Sequence, residues 1–238
     1  MNASATPSHS AASAGTPPRP DEATLKVVDD LKSLAVDVLG RGIERMFDGA
    51  DDMLFEMARR ATNNKDQRVY FDTMRVVRLG RPKIGRIFRE EIANGFRPEE
   101  EVEKHAVPTD VSFDDLSLQE SKSLEESIAI STMATKAEGL YNQLLFELNR
   151  RINWLIKERG APIDPTAMAP ATISKAFRTS AESLDVEFDI ELVIFKLFDR
   201  LVISDLGELY TRALRFFDQH GVQAAAIGGG APRGVGGG

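Results

Sequence analysis

The chain has 238 residues, 30 basic against 37 acidic side chains, a formal net charge of −7 and no cysteine. That length suits one large domain or two small ones, and it can bury a sizeable core without covalent staples. The absence of thiols excludes disulfides, thiolate metal sites and a cysteine nucleophile, and it suits a reducing compartment such as the cytoplasm.

Residues 1–19 are rich in Ser, Ala and Pro and hold no apolar run of the signal-peptide kind, so they are expected to form a disordered leader. An all-α domain is expected over 20–221, a bundle of about five to seven long amphipathic helices. Pro20, Asp21 and Glu22 place a proline and two acids where a first helical turn favours them. Leu25, Val28, Leu31, Ala35, Val38 and Leu39 then recur at helical spacing. Gly40 and Gly42 weaken this helix, yet Ile43, Met46, Phe47, Leu54, Met57 and Ala61 keep its stripe in register. Two readings stand, one helix to about Ala61 or two with a bend near Asp48-Gly49.

Asn64 followed by Gln67 offers a capped start to the next helix, which is expected to stop at Asn94-Gly95. Pro82 lies inside it, but Val69, Tyr70, Met74, Val77, Ile84, Ile87, Phe88 and Ile92 stay on one face across the proline, which points the other way. A kinked helix is therefore favoured over two separate ones. A polar, acidic connection follows from Phe96 to about Leu116. Ser117 with Glu120 and Ser123 with Glu126 are competing capping boxes for a seam helix over Ser121–Lys157. Its stripe of Ala134, Ala137, Tyr141, Leu144, Leu148, Ile152 and Leu155 resembles a coiled-coil seam and ends at Gly160.

Pro162, Pro165 and Pro170 mark a loop, with Pro170 placed to open a short helix carrying Ile173, Phe177 and Leu184. Val186 to Ile203 is apolar on nearly every side, the pattern of a buried helix. The last helix is expected from Ser204 to about His220, with a stop at Gly221 and a Gly-rich flexible tail over 222–238. No run approaches the ~18–20 apolar residues of a membrane span.

Charge is the most informative local feature. Between Arg59 and Arg89 ten basic residues stand against Asp66 and Asp72. Lys65, Arg68, Arg75, Arg78, Lys83, Arg86 and Arg89 project from one helix face within about 140° of arc, opposite the apolar stripe. Such a row of cations suits an acidic protein partner, a phosphate-bearing ligand or a membrane surface. It can also pair within the chain, and the acidic stretch from Glu99 to Glu126 is the expected counterpart. Arg68, Arg75, Arg78, Lys83, Arg86 and Arg89 are the candidate partner-binding residues. Nucleic-acid or nucleotide binding through this face is the alternative, weakened because Phe71 alone interleaves an aromatic.

Motifs for chemistry are missing. No Gly-rich phosphate loop follows a strand, Gly-x-Ser-x-Gly does not occur, and no Glu-x-x-His pair is present. The adjacent carboxylates Asp51/Asp52 and Glu125/Glu126 diverge on a helix and cannot converge as an acid/base dyad. His9, His105 and His220 lie far apart, so no metal or cofactor is expected. Trp154 is read as a packing or interface residue.

Several segments carry a resemblance. Arg60-Ala-Thr-Asn-Asn-Lys-Asp-Gln-Arg-Val-Tyr-Phe-Asp-Thr-Met74, Leu124-Glu-Glu-Ser-Ile-Ala129, Ala176-Phe177, Val193-Ile-Phe-Lys-Leu-Phe-Asp-Arg200 and Gly207-Glu-Leu-Tyr210 resemble the bacterial family called domain of unknown function 1631. The likeness runs in matching order from about Arg41 to His220, and it implies the N-terminal part of a typically longer protein. Some relatives carry the label thymidine phosphorylase, whose glycine-rich motif does not occur here. Some long members carry a PilZ-like segment, but no Arg-x-x-x-Arg followed by Asp-x-Ser-x-x-Gly is found. The sequence is thus read as a non-enzymatic interaction or regulatory module that binds a protein or associates with itself.

Overall fold

The computed structural model describes residues 18–98, 113–184 and 186–223, with 113–123 described by secondary structure alone. The expected leader and tail fall almost wholly outside these residues, as does most of the acidic connection. The described residues form seven α-helices and one short 3-10 turn, an all-α bundle.

Helix α1, Glu22–Arg60, is a single element of 39 residues. Asp21 caps it, its carboxylate accepting from the Thr24 amide at 2.8 Å. Of the two readings, the uninterrupted helix holds, because Ile43, Met46, Phe47, Ala50 and Leu54 all stay buried through Asp48-Gly49. Helix α2, Asn64–Asn94, runs unbroken across Pro82, which is exposed. Its cap is Asn63 rather than Asn64: the Asn63 side chain accepts from the Asp66 amide and donates to the Asp66 carboxylate. The reciprocal box is therefore Asn63/Asp66, one residue ahead of the expected Asn64/Gln67.

The expected seam helix is two. Helix α3, Phe113–Leu140, begins ahead of both Ser117 and Ser123, so neither capping box starts it. Helix α4, Asn142–Arg159, follows after Tyr141 departs to φ −111°, ψ 20°. The phenol explains the departure. Its ring packs edge-on to Tyr210 at 5.7 Å and fits against Gly207, and its hydroxyl donates to the Ser204 carbonyl. The backbone bonds into and out of Tyr141 survive, so a tertiary anchor turns one residue without dismantling the ladder. Consequently the seam faces two partners, with α3 packed on the fifth and sixth helices and α4 on the seventh.

Gly160 ends α4 at φ 61°, a conformation that suits glycine. Pro170 opens helix α5, Pro170–Glu182. Helix α6 spans Phe188–Leu201, shorter than the Val186–Ile203 run, because Val202 and Ile203 leave it for the 3-10 turn Ile203–Asp205. Helix α7, Leu206–Gln219, starts two residues later than expected, after Ser204 has bonded back to the Asp199 carbonyl.

α1 and α2 form an antiparallel hairpin, with Asp51 meeting Arg78 and Ala58 meeting Gln67. α5 lies along α2, and α6 occupies the middle against α1, α2, α3 and α5. Phe177 of α5 stacks on Phe198 of α6 at 3.8 Å and meets Phe88 and Phe195 edge-on, each at 6.1 Å. Gly80 makes room for Leu184, whose methyl would lie 2.6 Å from any Cβ there. Phe177→Ala is expected to cost about 3–5 kcal/mol by chemical denaturation, since it removes a fully buried ring with three aromatic partners.

Candidate partner-binding face

The basic face of α2 exists, but most of its cations already hold partners within the chain. Arg78 grips Asp51 of α1, with Nη2 at 2.7 Å and Nε at 2.9 Å from one carboxylate oxygen. Arg89 lies across α1 at Gly40, where a Cβ would come within 2.6 Å of its Nε. There it donates to Glu44 at 3.1 Å and to the carbonyls of Gly40 and Gly85. Arg81 joins the same carboxylate at 2.7 Å and Asp48 at 2.8 Å. Lys83 donates to the Ser183 carbonyl, Arg86 pairs with Glu90 one turn along at 2.9 Å, and Lys65 pairs with Asp189 of α6 at 2.9 Å.

The expected intramolecular pairing is thus present with different partners. Glu44, Asp48 and Asp51 of α1 supply it, at the i, i+4, i+7 spacing of one helix face. Residues 99–112 of the acidic stretch lie outside the described residues. Glu126, its last member, pairs with Arg178 of α5 at 3.0 Å rather than with α2. Arg68 and Arg75 make no ion pair among the described residues. Arg75 lines an open groove with Phe71, Met74, Arg78 and Leu79.

Glu44 is the hub of the hairpin. Burial pushes its carboxyl up, but hydrogen bonds from Arg81 and Arg89 outweigh this and hold it below the ordinary carboxylate range.

Outside this face, Trp154 packs against the core with the Arg159 guanidinium 5.5 Å over its ring. His220 lies at the end of α7 with Nδ1 2.8 Å from the Phe216 carbonyl. Among the described residues no group of three or more His, Asp or Glu is arranged to hold a metal ion. No described helix is long and apolar enough to cross a membrane.

This arrangement of helices accompanies a match over residues 23–221 to the family described as protein of unknown function (DUF1631), N-terminal domain. The chain belongs to this family. No curated protein and no solved structure matches it.

Sequence reading passed over one group in this DUF1631 N-terminal domain. Glu191 of α6 is 8% exposed, and its Oε1 has no hydrogen-bond partner. Burial pushes its carboxyl up to about 7, and the charges of Glu126 and Glu182 push in the same direction against Arg178. Three carboxyls therefore share one guanidinium where α3, α5 and α6 meet. The signal in the sequence was a lone acid inside the apolar run from Ile190 to Phe195. A carboxyl so perturbed is a functional-site candidate on general grounds, yet here it is packed between helices and is read as structural.

Two predictions follow from these carboxylates. Glu44→Gln is expected to destabilise the domain by about 1 kcal/mol at low ionic strength and by much less in concentrated salt, as partly exposed pairs do. Denaturant titration at two salt concentrations checks this. For Glu191 the folded carboxyl keeps its proton to about 7, whereas the ordinary value is 4.5. Folding takes up a proton between these values, so this group's contribution to stability falls as pH rises through that window and levels off above it. Glu191→Gln should be more stable than the native chain at pH ~8, with no such advantage at pH ~4, read by thermal melts.

Proposed function

We propose that this domain is a non-enzymatic helical interaction module that binds a protein partner in the cytoplasm. The observation that carries the reading is on the α1–α2 hairpin, where Phe55, Phe71 and Leu79 stand exposed beside guanidinium groups. Isolated exposed apolar residues need no explanation, but several beside an open groove are the composition of a contact surface.

The nucleic-acid reading is weaker. Binding through phosphates gains from each cation that displaces a counterion. Arg78, Arg86 and Arg89 already hold carboxylates, and Lys83 already holds a carbonyl. Two arginines without an ion pair among the described residues make a small phosphate footprint. The non-enzymatic reading draws support from the location of the perturbed groups. Glu191 and the phenol of Tyr210 are both buried between helices, away from the groove.

Size-exclusion chromatography with light scattering, joined to affinity capture from nuclease-treated extract, tests the module. A stoichiometric protein complex, with itself or another chain, is expected. A strictly monomeric domain that captures no stoichiometric partner contradicts the proposal.

A further inference from the structure

The two helices of the hairpin are in antiparallel register, fixed by Asp51 with Arg78 and by Ala58 with Gln67. That register sets Phe55 of α1 across from Phe71 and Met74 of α2. Phe55 is 54% exposed, Phe71 45% and Leu79 74%. Phe71, Arg75 and Leu79 follow one another at i, i+4 and i+8, so they line one edge of the groove over about 12 Å of helix. Arg68 stands one turn before Phe71 on the same edge.

The charge around this strip is fixed by what is already paired. Arg78 is neutralised by Asp51 at 2.7 Å. Arg59 and Arg60, beside Phe55, share the single carboxylate of Glu56 at 3.3 and 3.7 Å. Asp72 lies one turn from both Arg68 and Arg75 and Asp52 one turn from Phe55, so among the described residues five arginines stand against four carboxylates and the strip stays net positive in a chain whose overall charge is −7. A second copy meeting this face with its own equivalent would bring like charges together, which opposes a two-fold symmetric dimer through it.

We infer that the groove along α2 bearing Phe71, Leu79 and Arg75, with Arg68 one turn before it and Phe55 of α1 exposed at the same level, docks an acidic amphipathic helix of a partner protein. The inference rests on the interaction-module reading and names the surface and the partner's chemistry. The shape argument is that the open groove along α2, with α1 antiparallel beside it, can take the apolar ridge of a third helix. The ridge would cover the Phe55–Phe71–Leu79 strip. Acidic residues flanking it would meet Arg68 and Arg75, where Arg forks hold carboxylates well. A contact of two to three turns is small, so micromolar affinity is expected, on the order of 1–100 µM.

The test uses the full chain and three fluorescent probes read by polarisation. One is a synthetic helical peptide of about 18 residues with Leu at i, i+3, i+4 and i+7 and Glu elsewhere. The second has Lys in place of every Glu, and the third is a single-stranded DNA of about 20 nucleotides. The acidic peptide should bind at least about tenfold more tightly than the basic one. Phe71→Ser with Leu79→Ser should weaken the acidic peptide about tenfold or more. Arg68→Glu with Arg75→Glu should weaken it similarly while strengthening the basic peptide. These side chains are exposed, so melting curves should stay within a few degrees of the native chain, which separates lost docking from lost fold.

The inference is overturned by no binding of the acidic peptide at millimolar concentration, by indifference to Phe71→Ser/Leu79→Ser, or by DNA binding more tightly than the peptide. It is also overturned if Glu99→Gln/Glu100→Gln/Glu101→Gln/Glu103→Gln raises peptide affinity about tenfold, since the chain's own acidic stretch would then be the occupant. If the Phe71/Leu79 variant still captures the stoichiometric complex of the preceding section, the module reading stands and this surface alone is rejected.

Discussion

A helix with an apolar face as wide as that of α6, whose exposed residues Asp189, Lys196 and Arg200 lie along one edge, has to be covered on its other sides, and α6 imposes that requirement on its neighbours. Ile194, Leu197 and Phe198 have no measurable exposure, and Phe198 is stacked by Phe177 from α5 and met edge-on by Phe88 from α2. Three helices meet at that aromatic contact. Once α6 is central, α2 and α5 must lie along it, α1 must close over α2, and α7 follows where the chain leaves α6 at Val202. The 3-10 turn at Ile203–Asp205 makes that exit tight enough for Tyr141 to reach the Ser204 carbonyl. The break in the seam helix is thus a consequence of enclosing α6.

Charge is organised on the outside of the same arrangement. α1 and α2 bury apolar faces against each other, and their flanking edges then face across a short gap. On one edge Glu44 takes both Arg81 and Arg89, and Asp51 takes Arg78. Each such pair contributes little alone, but together with the Gly40–Arg89 and Ala58–Gln67 contacts they hold the two helices in this register. The clamp and the core are complementary: the core fixes that the helices touch, the ion pairs fix where along their length.

Much of this was readable from spacing. The single α1 stripe, the passage of α2 across Pro82, the start of α5 at Pro170 and the buried character of α6 all come from periods of three and four residues. What escaped the sequence was tertiary. Tyr141 belongs to the seam by periodicity, and nothing in its own neighbourhood announces that α7 will hold its ring. The α2 cap moved by one residue because Asn63 and Asn64 are equally good caps, and Asp66 chose between them. The basic face is legible by residue and the nearest acidic run is its evident counterpart in sequence, but residues 99–112 lie outside the described residues, and the counter-charges that are described, Glu44, Asp48 and Asp51, sit some thirty to forty residues earlier on a helix edge. An i, i+4, i+7 acidic row was there to be seen. Only the antiparallel hairpin gives it a partner.

The clamp also determines what is left over. Arg78, Arg81 and Arg89 of α2 are held by α1 and Arg86 by Glu90 of its own helix, while Arg68 and Arg75 make no ion pair among the described residues. Phe55 and Phe71 stand near the end where α1 finishes and the hairpin turns, and Leu79 lies midway along α2, two turns further on. Apolar exposure and positive charge without an ion pair among the described residues therefore coincide on a surface whose backbone is held by two long packed helices. A rigid surface loses little conformational freedom when something binds it, so even a small apolar strip there is a more effective contact than the same residues on a loop. The buried acid of Glu191 lies on the other side of α6, where α3 and α5 cover it.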